Sequence, residues 1–302
     1  MNGKAALMTK STNSKSIYEL PLYLKFILIF IFFICGVGIF TLFSPAAMDW
    51  RSTFYPVSQI PFHPYQIKTF INLPWTALFL YPLHFFSENI SAAINSSLNL
   101  VIIALLVIKR KGDLLSLVLT LTSFPFLGLL ANGSIEWIPA LCFIFQNSWG
   151  IPLLLAKPQS GFFAILAWFS PIKKKVLFLL PATLTIALSF IIYGNWLSKM
   201  IANILYMKIS LFTVSISPFP WAIPLGLGLI FLILKYKPKD SEILGALATF
   251  CLVPYFVAHS LTILYALLSV SHRRLAILVW FLLWAFAILS KWSIFIHIIG
   301  LQ

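Results

Sequence analysis

Residues 48–75, MDWRSTFYPVSQIPFHPYQIKTFINLPW, are the first long break in an otherwise apolar sequence. They follow LYLKFILIFIFFICGVGIFTLF at 22–43, a run that reaches the roughly 20 apolar residues a helix needs to cross a bilayer. An ordinary connector between two spans needs only a few polar residues. This one holds a carboxylate, Asp49, beside a guanidinium, Arg51, among Trp50, Phe54, Tyr55, His63, Tyr65 and four prolines. A segment so long, aromatic and stiffened is expected to fold against the membrane face and to form part of a site.

Working outward, apolar runs recur to the end of the chain. The 302 residues are 61% hydrophobic and 9% charged, a balance that a water-soluble domain cannot bury. The runs do not alternate as barrel strands do, so the expected class is an all-α polytopic membrane protein. Counting runs gives about 9–11 spans in one transmembrane domain, residues 21–302, behind a cytoplasmic arm at 1–20. The first external loop is placed at 45–75. Leu73 to Phe86 is too short for an easy crossing and reads as interfacial or re-entrant. Residues 134–175 are broken at Asn147-Ser148-Trp149-Gly150 and at Lys157-Pro158-Gln159, which fits three short helices. Broken helices are tolerated in a membrane only where protein or a wet cavity satisfies the freed backbone, so Lys157 is expected to face a cavity. The segment preceding the first run lacks a small-residue cleavage site and reads as leading into a retained span.

A net charge of +14 raises the question of nucleic acid, and position answers it. The basic residues cluster in short stretches between apolar runs, at 109–111, 173–175, 235–239 and 273–274. Together with the N-terminal lysines these put 15 of the 21 cations on one side. That asymmetry encodes orientation in a membrane, with the N-terminus inside and the Asp49 loop outside. Cys35, Cys142 and Cys251 lie singly in apolar runs and read as small buried thiols. No phosphate-binding, dinucleotide, zinc-protease or serine-hydrolase motif is present in the sequence.

Seven carboxylates serve the whole chain. Glu19, Asp113, Asp240 and Glu242 sit beside basic residues on the inner side and read as solvated ion pairs. Asp49, Glu88 and Glu136 are left for the outer half. Asp49 at a membrane boundary loses hydration, which raises a carboxylate's pKa and makes it a better base; the competing reading is a helix-end residue paired with Arg51. Glu136 reads either as a site residue or as a first-turn carboxylate favoured by the helix dipole. His63 is open to phosphate contact or loop packing. Lys157, a cation at depth, is expected to face a polar ligand or partner, and His259 is ionisable within an apolar run after Pro254.

At these residues the chain resembles the membrane glycosyltransferases of the GT-C superfamily, and more closely the polyprenyl-phosphate-mannose-dependent mannosyltransferases and their bacterial relatives. The resemblance rests on an Asp just after span one, on the aromatics and Pro-Tyr of the first loop, and on Asn72-Leu73-Pro74-Trp75 where the family has Asn-Pro-Pro. It continues with Asn132-Gly133-Ser134-Ile135-Glu136 in place of a Gly-Gln or Gly-Asn turn, with Lys157-Pro158-Gln159, and with Val253-Pro254 and His259. It implies a GT-C-like bundle in a bacterial plasma membrane. Asp49 would be the base, and Arg51, His63, Tyr65, Glu136, Lys157, Gln159 and His259 would bind substrate. The donor would be a lipid-linked sugar lying among membrane lipids, with no metal or other cofactor needed and no nucleic acid involved. The alternative is a non-catalytic scaffold of that fold, or a subunit working with membrane protein partners.

Overall fold

The structure, a computed structural model of the chain, describes residues 21–43, 47–169 and 175–290. The expected arm at 1–20 and the last residues of the expected transmembrane domain, 291–302, lie outside the described residues. Within them every regular element is helical. α1 (Leu22–Leu42) leads through a π-helical turn (Trp50–Phe54) into the short α2 (Tyr55–Gln59) and α3 (Thr76–Leu80). α4 (Glu88–Lys109) is followed by the bent pair α5 (Leu114–Leu121) and α6 (Phe124–Asn132). α7 (Trp137–Phe145), α8 (Ile151–Ala156) and α9 (Ile165–Phe169) are short; α10 (Lys175–Tyr193) and α11 (Trp196–Val214) are long. α12 (Ile223–Tyr236), α13 (Ser241–Leu252), α14 (Leu261–Ser271) and α15 (Arg273–Ser290) complete the order.

Three helices among the described residues are long and apolar enough to cross a membrane: α1, α4 and α10. The α5–α6 pair, bent by 50°, makes a fourth if it counts as one span. This is fewer than the 9–11 spans expected from counting runs. Several apolar runs fold instead as helices of 5–14 residues, interrupted at Pro254, at the Asn147–Gly150 turn and at Lys157-Pro158. Length of an apolar run does not decide whether its helix is continuous; proline and turn residues do.

α4 is the axis. Two-thirds of its apolar window is buried, 67%, against 6% for α1 and 28% for α10, so α1 and α10 lie at the periphery. The peripheral helices expose Phe26, Phe30, Leu184, Ile191 and, on α15, Phe281 and Phe286. Apolar surface this extensive is a liability in water and suits lipid contact, the condition under which these helices can span a bilayer.

Down one side of α4 runs a polar stripe, Ser91, Asn95 and Asn99, spaced by four residues and buried. Spacing by four keeps all three on one helix face. Asn95 Nδ2 donates to the carbonyls of Gly133 (3.0 Å) and Ser134 (3.1 Å), and its Oδ1 accepts from Trp137 Nε1 (2.9 Å). Asn99 Nδ2 donates to Ser134 O (2.8 Å), and its Oδ1 accepts from the Trp137 backbone N–H (2.9 Å). These two amides tie down the turn between α6 and α7, whose backbone groups have no helical partner. Gly133 makes that turn possible: its φ is +67°, and a Cβ there would lie 2.8 Å from Trp50 Cβ and 2.9 Å from Ala47 Cβ.

A second clamp acts from the 48–75 segment. Asn72 Nδ2 (3.0 Å) and Thr76 Oγ1 (3.1 Å) both donate to Ala156 O, and Trp75 Nε1 donates to Pro152 O (2.9 Å). The Asn72-Leu73-Pro74-Trp75 stretch thereby holds the C-terminal end of α8, where Lys157 begins the next turn.

Candidate functional site

The two clamps deliver Glu136 and Lys157 to the same place. Glu136 precedes α7 without capping it through its side chain. Its carboxylate turns instead to Lys157 Nζ, which donates to Oε1. Ser160 Oγ donates to Oε2, and Ser260 Oγ donates to Oε1 at 3.1 Å. Lys157 Nζ also donates to Ser134 Oγ at 2.6 Å. The pair is sealed, with side-chain exposures of 4% for Lys157 and 0% for Glu136. Removing two charges from water costs several kcal/mol per ion unless the partners and the remaining hydrogen bonds are in place. Here three serines supply those bonds.

At the outer edge of this centre lies Asp49. Ala47 N donates to Ala131 O at 2.9 Å, docking the end of the α1 connection on the end of α6. Asp49 immediately precedes the π-helical turn that follows, and Trp50 Nε1 donates to Ser91 Oγ of α4 at 3.1 Å. Asp49 is left with a side chain 44% exposed, and its Oδ2 is 4.0 Å from Nε2 of His259. Burial of its surroundings pushes the Asp49 carboxyl above its ordinary value; Lys157 opposes the rise and Glu136 adds to it. Tyr255 is also within electrostatic reach: burial first, and then Asp49, push its phenol above the ordinary range.

His259, in an apolar run after Pro254, is not within an α-helix. It sits in the short turn Ala258–Ser260 between α13 and α14, because Pro254 ends α13 and the chain re-forms a helix only at Leu261. The break lets His259 face Asp49 while the adjacent Ser260 faces Glu136.

The structure therefore brings Asp49, Glu136, Lys157 and His259 into one line running from a half-exposed rim to a sealed ion pair. Lys157, expected to meet a ligand in a cavity, has its ammonium satisfied by Glu136 and Ser134. Gln159 is half-buried in the turn Pro158–Ser160, and it is Ser160 that meets Glu136. Arg51 turns to the first turn of α4, donating to Glu88 Oε1 (3.0 Å) and Asn89 Oδ1 (2.8 Å). His63 and Tyr65 line a separate pocket. The Tyr65 hydroxyl is used within the loop, donating to Asn72 O at 2.8 Å. Among the described residues no three His, Cys, Asp or Glu side chains gather as a metal-ligand set.

Sequence reasoning passed over Ser134, Ser160 and Ser260, and over Asn95 and Asn99. The serines carry no signal of their own. The asparagines do: polar residues repeating every four positions in a long apolar helix mark a face turned to other protein groups.

Beside Tyr255 an apolar groove of about 240 Å³ is lined by Ile204, Leu205, Lys208, Leu211 and Pro254. Its α11 wall carries the exposed Leu205, at 65%, and a single cation, Lys208. Comparison with protein-family models, with curated proteins and with solved structures returns no match for this chain.

Proposed function

We propose that the chain is a membrane glycosyltransferase of GT-C-like architecture that transfers a sugar, mannose-like, from a polyprenyl-phosphate donor to an acceptor hydroxyl at the outer face of a bacterial plasma membrane, with its N-terminus in the cytoplasm. The observation that carries the reading is Asp49: a half-exposed carboxylate of raised basicity at the mouth of a polar centre, near an apolar groove that bears one ammonium.

Asp49 takes the proton of the acceptor hydroxyl as its oxygen attacks the anomeric carbon. The bond from that carbon to the donor's phosphate oxygen breaks, and the phosphate leaves with the electron pair, inverting the centre. A single displacement of this kind needs one base and a stabiliser for the departing charge. Lys208, in the groove suited to the isoprenoid chain, faces that charge. His259 and the Glu136–Lys157 pair act behind Asp49 as positioning residues, since the ammonium of Lys157 is already occupied.

The second reading is a non-catalytic scaffold or subunit of this architecture, working with membrane protein partners. It is favoured by the self-sufficiency of the buried centre: both Glu136 oxygens and the Lys157 ammonium are satisfied within the chain. The experiment that separates the two is sugar transfer from labelled polyprenyl-phosphate sugars by the reconstituted protein. Loss of a general base costs roughly 10²–10⁴-fold, so Asp49→Asn is expected to lose at least about 100-fold. Transfer by the variant at the wild-type rate removes the mechanism; absence of transfer by the wild type across sugars favours the scaffold.

A further inference from the structure

A second polar pocket lies away from the Asp49 centre, where the 48–75 segment meets the junction of α10 and α11. It encloses about 210 Å³, and its lining includes His63, Gln66, Lys68, Tyr193 and Lys199 but no carboxylate. Lys68 and Lys199 are exposed, and neither is in an ion pair among the described residues. Two lysines converging on one hollow repel each other, which favours an anion between them.

The buried wall of the pocket points the same way. Tyr193 is 7% exposed and Trp196 beside it is 5% exposed. Among the described residues the Tyr193 hydroxyl and the Trp196 indole N–H have no hydrogen-bond partner. A buried donor left unpaired forfeits its hydration with nothing in return, so native structures rarely keep two side by side without a use. The walls are firm. Asn203 Nδ2 of α11 donates to the carbonyls of Tyr65 (3.3 Å), Ile67 (3.0 Å) and Phe70 (3.0 Å), pinning the loop that carries His63 and Lys68 against α11, which carries Lys199.

Depth identifies the anion. Tyr193 is the last residue of α10, a helix long and apolar enough to cross the membrane, and Trp196 opens α11. Tyr and Trp at the end of a span sit at headgroup level. We propose that this pocket binds the phosphate of a membrane lipid, with Lys68 and Lys199 pairing with its charge and Tyr193 donating to one of its oxygens. The site anchors the 48–75 segment to the bilayer surface. It does not depend on sugar transfer, and it is separate from Lys208 and from Asp49.

The test uses the full chain in neutral detergent and two phosphate probes, dihexanoyl phosphatidic acid and inorganic phosphate, with dihexanoyl phosphatidylcholine as a zwitterionic control. Binding is read by calorimetry. Wild type is expected to bind the phosphatidic acid saturably and more tightly than either other probe. Lys68→Gln with Lys199→Gln is expected to weaken that binding about tenfold or more, and Tyr193→Phe by about threefold to tenfold. Both sets of changes leave the packing intact, because the lysines are exposed and the lost hydroxyl has no partner among the described residues. Asp49→Asn is expected to bind as wild type does, which separates this site from the transfer reaction. Equal binding by the lysine variant overturns the proposal, and so does equal binding of the phosphatidylcholine. Inorganic phosphate binding as tightly as the lipid overturns the lipid source.

Discussion

Glu136 and Lys157 are the residues on which the centre is most exposed to damage. Truncating one partner leaves an uncompensated buried charge, which costs about 3–5 kcal/mol. Lys157→Ala and Glu136→Ala are each expected to unfold far earlier in a denaturant or thermal series in detergent. Glu136→Gln combined with Lys157→Met removes both charges and is expected to recover most of that loss; a double variant as unstable as the singles would show that the pair is not the source. Asp49 behaves in the opposite sense. Its carboxyl is raised above 3.8 in the folded state, so between that value and the raised one the folded chain holds a proton that the unfolded chain has released. Stability then falls as pH rises through this window. Asp49→Asn removes the penalty and is expected to melt no earlier than wild type at neutral pH, even though it loses transfer. A base must be unprotonated to act, so transfer by wild type is expected to fall as pH is lowered, with a midpoint above 3.8. A midpoint at or below that value in the pH–rate profile would detach Asp49 from the reaction.

At the scale of elements, the centre is set by a turn between two short helices, held from α4. Gly133 sits at φ +67° against Trp50 and Ala47. An alanine there takes on a left-handed backbone, roughly 1–2 kcal/mol, and a clash with two Cβ atoms that cannot rotate away. Gly128, one turn earlier on α6, would meet only His259 Cβ, at 4.0 Å. Gly133→Ala is therefore expected to destabilise strongly while Gly128→Ala stays within about 1 kcal/mol of wild type or gains slightly, by helix propensity; the comparison needs only the two melting curves. Much of this level was legible in the sequence. The breaks read in 134–175 separate α7, α8 and α9 in its described part, and 73–86 holds only short helical turns, too short to cross a bilayer. Asp49, Lys157 and His259 are grouped as site residues only through the family resemblance, each standing out singly as an ionisable residue in or beside an apolar run. The partner of Lys157 was not legible, because a buried ammonium reads alike whether its counter-charge is a ligand or a glutamate 21 residues earlier. The length of the break around Pro254, from Leu252 to Leu261, was not legible either, since a proline signals an interruption but not how many residues it consumes.

Across the whole molecule, the ionic groups separate into two ends. Arg51 pairs with Glu88 where α4 begins, and Arg110 follows where α4 ends, about 33 Å away at 1.5 Å per residue. At that far end Glu242 accepts from Arg110 (2.5 Å), Gln146 (2.5 Å) and Trp168 (2.8 Å). Asp113 pairs with Arg273, and Asp240 pairs with His272 at 3.0 Å. Asp113, Asp240 and Glu242, read from the sequence as solvated ion pairs with the basic residues beside them, take partners distant in sequence instead, and the Arg110–Glu242 pair is largely buried, with side-chain exposures of 22% and 19%. Basic clusters accumulate at this face, and positive clusters tend to stay inside; the proposed orientation accordingly puts the face bearing Asp49 and the 48–75 segment outside. Phe62 and Lys237 are exposed residues near opposite ends. With the three native cysteines replaced, Phe62→Cys is expected to react with a membrane-impermeant maleimide in intact cells, and Lys237→Cys only after lysis. Labelling in the reverse order would invert the orientation and put Asp49 on the cytoplasmic side, where an acceptor of the outer face cannot reach it. Labelling of both in intact cells would mean that α4 does not separate two compartments, and the lipid-facing assignment of α1 and α10 would fail with it.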